Sequence, residues 1–182
     1  TYTELARFHS GKALFLDTPE PRLDQSSTFS AISELQMFME YFPASKRKTE
    51  AQQMIFELQD KLVMKDYLTA KLYYDLGTYT GNASYTADMR INGNNFLACI
   101  TTAQNALKDY PYTSMREDIS ILLLRAKHKL GSESVLEKKE ERMRETIDEY
   151  YAFKNEFPES KYMKEVEAIY KDASKYVKEL NE

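Results

Sequence analysis

Apolar residues return every three or four positions along most of the chain, the period of an amphipathic helix. From Tyr2 to Leu16 the stripe is Leu5, Ala6, Phe8, His9, Ala13 and Phe15, and it stops at Asp17-Thr-Pro-Glu-Pro21, where proline withholds the backbone donors a helix needs. A second stripe, Phe29, Ile32, Leu35, Phe38 and Met39, predicts a helix that starts after a Ser26 or Ser27 cap and ends at Tyr41-Phe42-Pro43. Between Lys46 and Leu76 there is neither Gly nor Pro, so one long helix, or two with a slight bend, should follow a Ser45 cap and stop at Gly77. The stretch from Thr78 to Asn94, with Gly81-Asn82 and Asn92-Gly93, reads as a long loop. Three more helices are expected, from about Asn95 to Asp109, Ser114 to Leu130 (stopped by Gly131) and Ser134 to Glu156. A last one, capped by Ser160, should run through Leu180.

Three helix ends share one composition: Tyr41-Phe-Pro-Ala-Ser45, Asp109-Tyr-Pro-Tyr-Thr113 and Glu156-Phe-Pro-Glu-Ser160. Each has an aromatic, a proline, one spacer and a hydroxyl. The proline ends one helix, the hydroxyl caps the next, and the aromatic pins the turn. Pro43 and Pro111 lie 68 residues apart, twice the period of a tetratricopeptide repeat, while Pro111 and Pro158 lie 47 apart. Small residues, Ala51, Ala70, Ala98 and Ala126, suit close approach of paired helices. These signs predict an all-α, right-handed tetratricopeptide-repeat-like solenoid of antiparallel helix pairs, a single domain over residues 1–182. Its units are expected at about 1–44, 45–112 and 113–159, with a carboxyl-terminal helix over 160–182. A generic bundle of proline-terminated helices is the alternative.

Composition narrows the function. Five Gly and five Pro among 182 residues fit helices and exclude collagen-like or low-complexity chains. A net charge of −4 leaves no basic surplus for wrapping nucleic acid. No apolar run approaches the ~20 residues of a membrane helix. Cys99, between Leu97 and Ile100, reads as a buried thiol, with no neighbouring cation in sequence to activate it. His9 and His128 lack a companion at metal-ligand spacing, and no phosphate loop or nucleophile motif is present. No enzyme, cofactor or metal site is therefore expected. Acidic pairs such as Glu140-Glu141 fall in a stretch dense in both charges, which reads first as a solvated helix face.

The residues Leu23-Asp-Gln25, Thr28, Ala31 and Tyr41-Phe-Pro-Ala-Ser45 resemble the middle of the BamD family of outer-membrane protein assembly lipoproteins. Leu62, Tyr67, Ala70, Tyr73-Tyr74 and Gly77, then Ala98 through Asp109-Tyr-Pro111, continue the likeness in order, covering about Leu23 to Leu130. The resemblance implies a non-catalytic tetratricopeptide-repeat scaffold on the periplasmic face of the cell outer membrane. Its lipid anchor and first repeats would lie ahead of Thr1. Its implied partners are the periplasmic domains of a BamA-like barrel subunit, and unfolded outer-membrane protein precursors.

Three groups are candidate partner-binding residues. Tyr67, Tyr74 and Tyr79 gather at the end of the third helix and the following loop, where tyrosine offers apolar area and a hydroxyl. Asn105, Lys108 and Asp109 end the fourth helix, where the resemblance implies contact with the barrel subunit. Glu141, Arg144, Glu145 and Asp148 form a charged stripe on the sixth. The rival readings are a repeat adaptor for another protein partner, and packing or solvation alone.

Overall fold

A computed structural model describes residues 2–78 and 94–177. Among these residues there are seven helices and no strand: α1 (Tyr2–Leu16), α2 (Ser26–Tyr41), α3 (Lys48–Leu76), α4 (Asn95–Asp109), α5 (Arg116–Ser132), α6 (Leu136–Glu156) and α7 (Met163–Ala173). The fold is all-α and compatible with a tetratricopeptide-like helical solenoid. The chain gathers into two compact units, Thr1–Leu68 with Tyr112–Met115, and Thr69–Pro111 with Arg116–Glu182.

In the first unit α1 packs on α2. Phe8, Ala31, Leu35, Phe38, Met54 and Leu58 are among the buried residues of its core. Each large side chain removed from water there stabilises the unit by about 1.5–3 kcal/mol. The turn into α2 is tied down by Gln25, itself buried: its amide donates to the Glu20 carbonyl at 2.7 Å, and its Oε1 accepts from the Thr28 hydroxyl at 2.7 Å. The Gln25 and Thr28 of the family-like motif are thus structural residues. In the second unit α5 packs against α4, α6 and α7. Ile121, Leu124, Tyr150, Phe153, Val166 and Ile169 form its core cluster.

The even-numbered helices share one register. α2 buries Thr28, Ala31, Leu35 and Phe38, and α4 buries Phe96, Cys99, Ala103 and Ala106. α6 buries Met143, Thr146, Tyr150 and Phe153. The second set is displaced from the first by 68 residues at every position, and the third by 115. A constant displacement of four buried positions is what a structural repeat requires, since each helix must offer the same face to its neighbours.

Several boundaries differ from the sequence expectation. Neither Ser26 nor Ser27 caps α2: Gln25 stands before the helix without a side-chain cap bond, and the Ser26 amide donates to Asp24 Oδ1 at 3.0 Å. α3 is one helix of 29 residues. α5 runs through Gly131 to Ser132 because the missing side chain lets Met143 approach: a Cβ there would lie 3.0 Å from the Met143 sulfur. α7 ends at Ala173, short of the expected Leu180, and Leu180 lies outside the described residues. Ala51, Ala70 and Ala126 are fully buried as expected, but Ala98 is only partly so; Ala103 and Ala106 are the small residues buried in α4.

Candidate functional surface

The three proline corners share one local structure. The residue closing the helix has φ/ψ of −128/60° at Phe42, −128/67° at Tyr110 and −127/62° at Phe157. Its amide still donates to the carbonyl four residues back, at Phe38, Ala106 and Phe153 respectively. Proline then turns the chain. The hydroxyl two residues beyond the proline does not sit directly before the helix. It accepts from the amide two residues on, Arg47 at 3.1 Å, Met115 at 3.2 Å and Tyr162 at 3.0 Å, and so braces the turn that leads into the helix.

The same hydroxyl donates to a carboxylate on the odd-numbered helix before it. Ser45 reaches Glu4 on α1 at 2.5 Å, Thr113 reaches Asp60 on α3 at 2.8 Å, and Ser160 reaches Glu117 on α5 at 2.6 Å. Each corner is thus latched to the helix that opens its pair. The bond from Ser45 holds the Glu4 carboxyl below the usual glutamate range. A second tie recurs eight residues along the odd-numbered helix: Lys12 pairs with Glu50 at 2.7 Å, and Arg125 with Glu165 at 2.6 Å. Sequence reasoning found the corner hydroxyls but not their carboxylate partners, which lie 41, 53 and 43 residues away.

On this frame the candidate binding residues divide. Tyr67 and Tyr74 are partly buried in α3, and Tyr79 lies outside the described residues, as does the expected loop except for its ends at Thr78 and Asn94. Tyr74 packs edge-on against Phe96 with ring centroids 5.7 Å apart, and burial pushes its hydroxyl pKa up. The same ring of Phe96 lies 3.1 Å from where a Cβ on Gly77 would stand, and Gly77 has φ +53°. Tyr74 is therefore first a packing residue, with a partly accessible edge. Cys99 is fully buried, and desolvation raises its thiol pKa to about 12, so it is no nucleophile.

Asn105, Lys108 and Asp109 are exposed on the last turns of α4. On α6 Glu141, Glu145 and Asp148 are exposed on one face, away from the buried Met143, Thr146 and Tyr150. Arg144 is held to Glu140 at 2.8 Å across one turn. The stripe thus presents three carboxylates with its arginine partly engaged.

Two features escaped the sequence reading. Tyr150 and Tyr170 stack with centroids 4.3 Å apart, and Lys154 bridges the Tyr150 hydroxyl and Glu167, each at 2.9 Å. A 3.6-residue period marks Tyr150 as core without naming its partner on α7. In the first unit a groove of about 600 Å³ runs between α2, α3 and the corner at Tyr112. Gln36, Gln52 and Gln59 supply amides there, and Met39, Phe56 and Tyr112 supply apolar area. Tyr112, 93% exposed, fills the spacer position of its corner motif.

Among the described residues no group of three or more His, Cys, Asp or Glu is placed to hold a metal, and no helix is long and apolar enough to cross a membrane. No curated protein matches the chain. Residues 3–92 match the family described as YfiO, outer membrane lipoprotein, a span that holds two of the three latch carboxylates and the first corner. Over residues 3–92, just under half of its length, the chain is therefore similar to the outer membrane lipoproteins of that family, and its all-helical, repeat-like fold agrees with theirs.

Proposed function

We propose that the chain is a non-catalytic scaffold in outer-membrane β-barrel protein assembly, which binds the periplasmic domains of a BamA-like barrel subunit. The match over residues 3–92 to the outer membrane lipoproteins of the YfiO family carries the reading. The latched corners support it, because a surface already held in place loses little conformational freedom on docking. In this reading the repeat limits fall at the corners, near residues 44, 112 and 159, and the second-unit surfaces meet the subunit through Asn105, Lys108 and Asp109, and through Glu141, Arg144, Glu145 and Asp148. Tyr67, Tyr74 and Tyr79 belong to the same binding reading. The glutamine-lined groove of the first unit suits an extended precursor segment, whose backbone would pair with the amides while an apolar side chain rests on Phe56 or Tyr112.

The test is a binding titration of the folded chain against the purified periplasmic domains of a cognate barrel subunit. Binding is expected to weaken several-fold when Glu141, Glu145 and Asp148 are all changed to Lys, mainly through a slower association rate that added salt also slows. No binding by the folded wild-type chain overturns the assignment.

A further inference from the structure

Arg116 and Glu156 each stand at the electrostatically wrong end of their own helix. Arg116 opens α5, where the helix dipole favours an anion, and Glu156 closes α6, where it favours a cation. Each is compensated by the other: Arg116 Nε donates to Glu156 Oε1, and Nη2 donates to Oε2 at 3.4 Å. The third nitrogen points elsewhere. Nη1 donates to the Pro111 carbonyl at 3.2 Å and lies 3.5 Å from the Leu107 carbonyl. One guanidinium thus joins the end of α4, the start of α5 and the end of α6.

This clasp is not a general property of the corners. One repeat earlier, the residues in register with Arg116 and Glu156 are Lys48 and Asp109. Neither has a charged partner among the described residues. Arg116 opens α5 directly beside Glu117, the carboxylate to which its helix's corner bond runs. Lys48 opens α3 about three turns before Asp60, the carboxylate that plays this part on α3. Glu156 is therefore held from within the chain, whereas Asp109 is exposed beside Lys108 at the end of α4.

We propose that Arg116 is a positioning residue for the partner surface: it fixes the last turn of α4 against the end of α6, so that Lys108 and Asp109 stand in place before the partner arrives. It acts through those two residues and touches no partner itself. A planar guanidinium can serve a carboxylate and a carbonyl at once in fixed directions, which a lysine ammonium on its flexible stem does not reproduce. Holding the α4 end and the α6 face on one frame spares the partner the cost of ordering them. This inference rests on the barrel-subunit reading.

The test uses the full chain and the purified periplasmic domains of a cognate barrel subunit. Arg116→Lys keeps the charge and loses the fork, and should weaken binding about three- to tenfold. Lys108→Ala should weaken the wild-type chain by a similar factor and the Arg116→Lys chain hardly at all, because its side chain is already out of place. Glu141→Lys, on the α6 face, should cost the same in both backgrounds. In the free chain the Tyr110 amide, which donates to the Ala106 carbonyl at 3.0 Å, should exchange faster in Arg116→Lys, while the amide of the buried Leu124 keeps its rate. If Leu124 also quickens, Glu156→Gln takes the place of Arg116→Lys in every arm. Wild-type affinity in the variant, a Lys108→Ala loss that adds in full, or an unchanged Tyr110 rate each overturns the inference and leaves the barrel-subunit reading standing. No binding by the wild-type chain overturns that reading, and the inference with it.

Discussion

Ser160 shows what one hydroxyl contributes at a corner: it accepts from the Tyr162 amide and donates to Glu117, so one side chain joins a turn to a helix. Ser160→Ala removes both bonds and leaves a carboxylate without its donor. The loss should be about 1–2 kcal/mol, read from the urea midpoint of unfolding. Ser160→Thr should lie within ~0.5 kcal/mol of wild type, because Thr113 makes the same pair of bonds in its own corner. A threonine variant as unstable as the alanine one would mean that the hydroxyl is not what matters.

At the scale of the helix, Gly11 decides how closely α1 and α2 approach. A Cβ there would stand 2.7 Å from Leu35 Cδ2, and Leu35 is fully buried in the core. Alanine favours a helix over glycine by about 1 kcal/mol, whereas forcing a methyl into a packed core costs about 1–3 kcal/mol. The second effect should win, so Gly11→Ala is expected to lower stability, and a stabilised variant would show that the helix pair can give way. Nothing in the hydrophobic pattern marks Gly11 as a contact, since Leu35 lies 24 residues further on. The stripes around it were legible, because burial on one face repeats every three or four residues and the prolines break the pattern cleanly. Boundaries set by partners distant in sequence were not. Gly131 looked like a stop, yet it continues α5 because Met143 needs the room. Tyr74 of α3 also packs against Phe96, a neighbour 22 residues on that periodicity does not name.

Across the whole molecule, ties between charged groups recur beside each core, and they answer to pH. The Glu165 carboxyl is held below its ordinary value of 4.5, chiefly by hydrogen bonds from the Arg125 guanidinium. The unfolded chain therefore takes up this proton at a higher pH than the folded one does. The stability contributed by the pair is present above the ordinary glutamate value and is lost as pH falls through the lower, folded one. Glu165→Gln should be less stable than wild type at neutral pH. The difference in thermal midpoint should shrink between about pH 6 and about pH 3 as wild type loses the pair. A gap that stays constant over that range would mean that the pair contributes no pH-linked stability.

The three corner bonds close chain lengths of 41, 53 and 43 residues with the same geometry at each end. Register is therefore set at the joints and not by counting along the polypeptide. Lengthening a closed loop costs little, about 0.6 kcal/mol for a doubling. A lineage can then add or trim residues inside a helix pair while the next pair still starts from the same anchor. Sequence turnover should accordingly be tolerated between α3 and α4, where the interval is longest, and punished at Asp60 and Thr113, which bracket it.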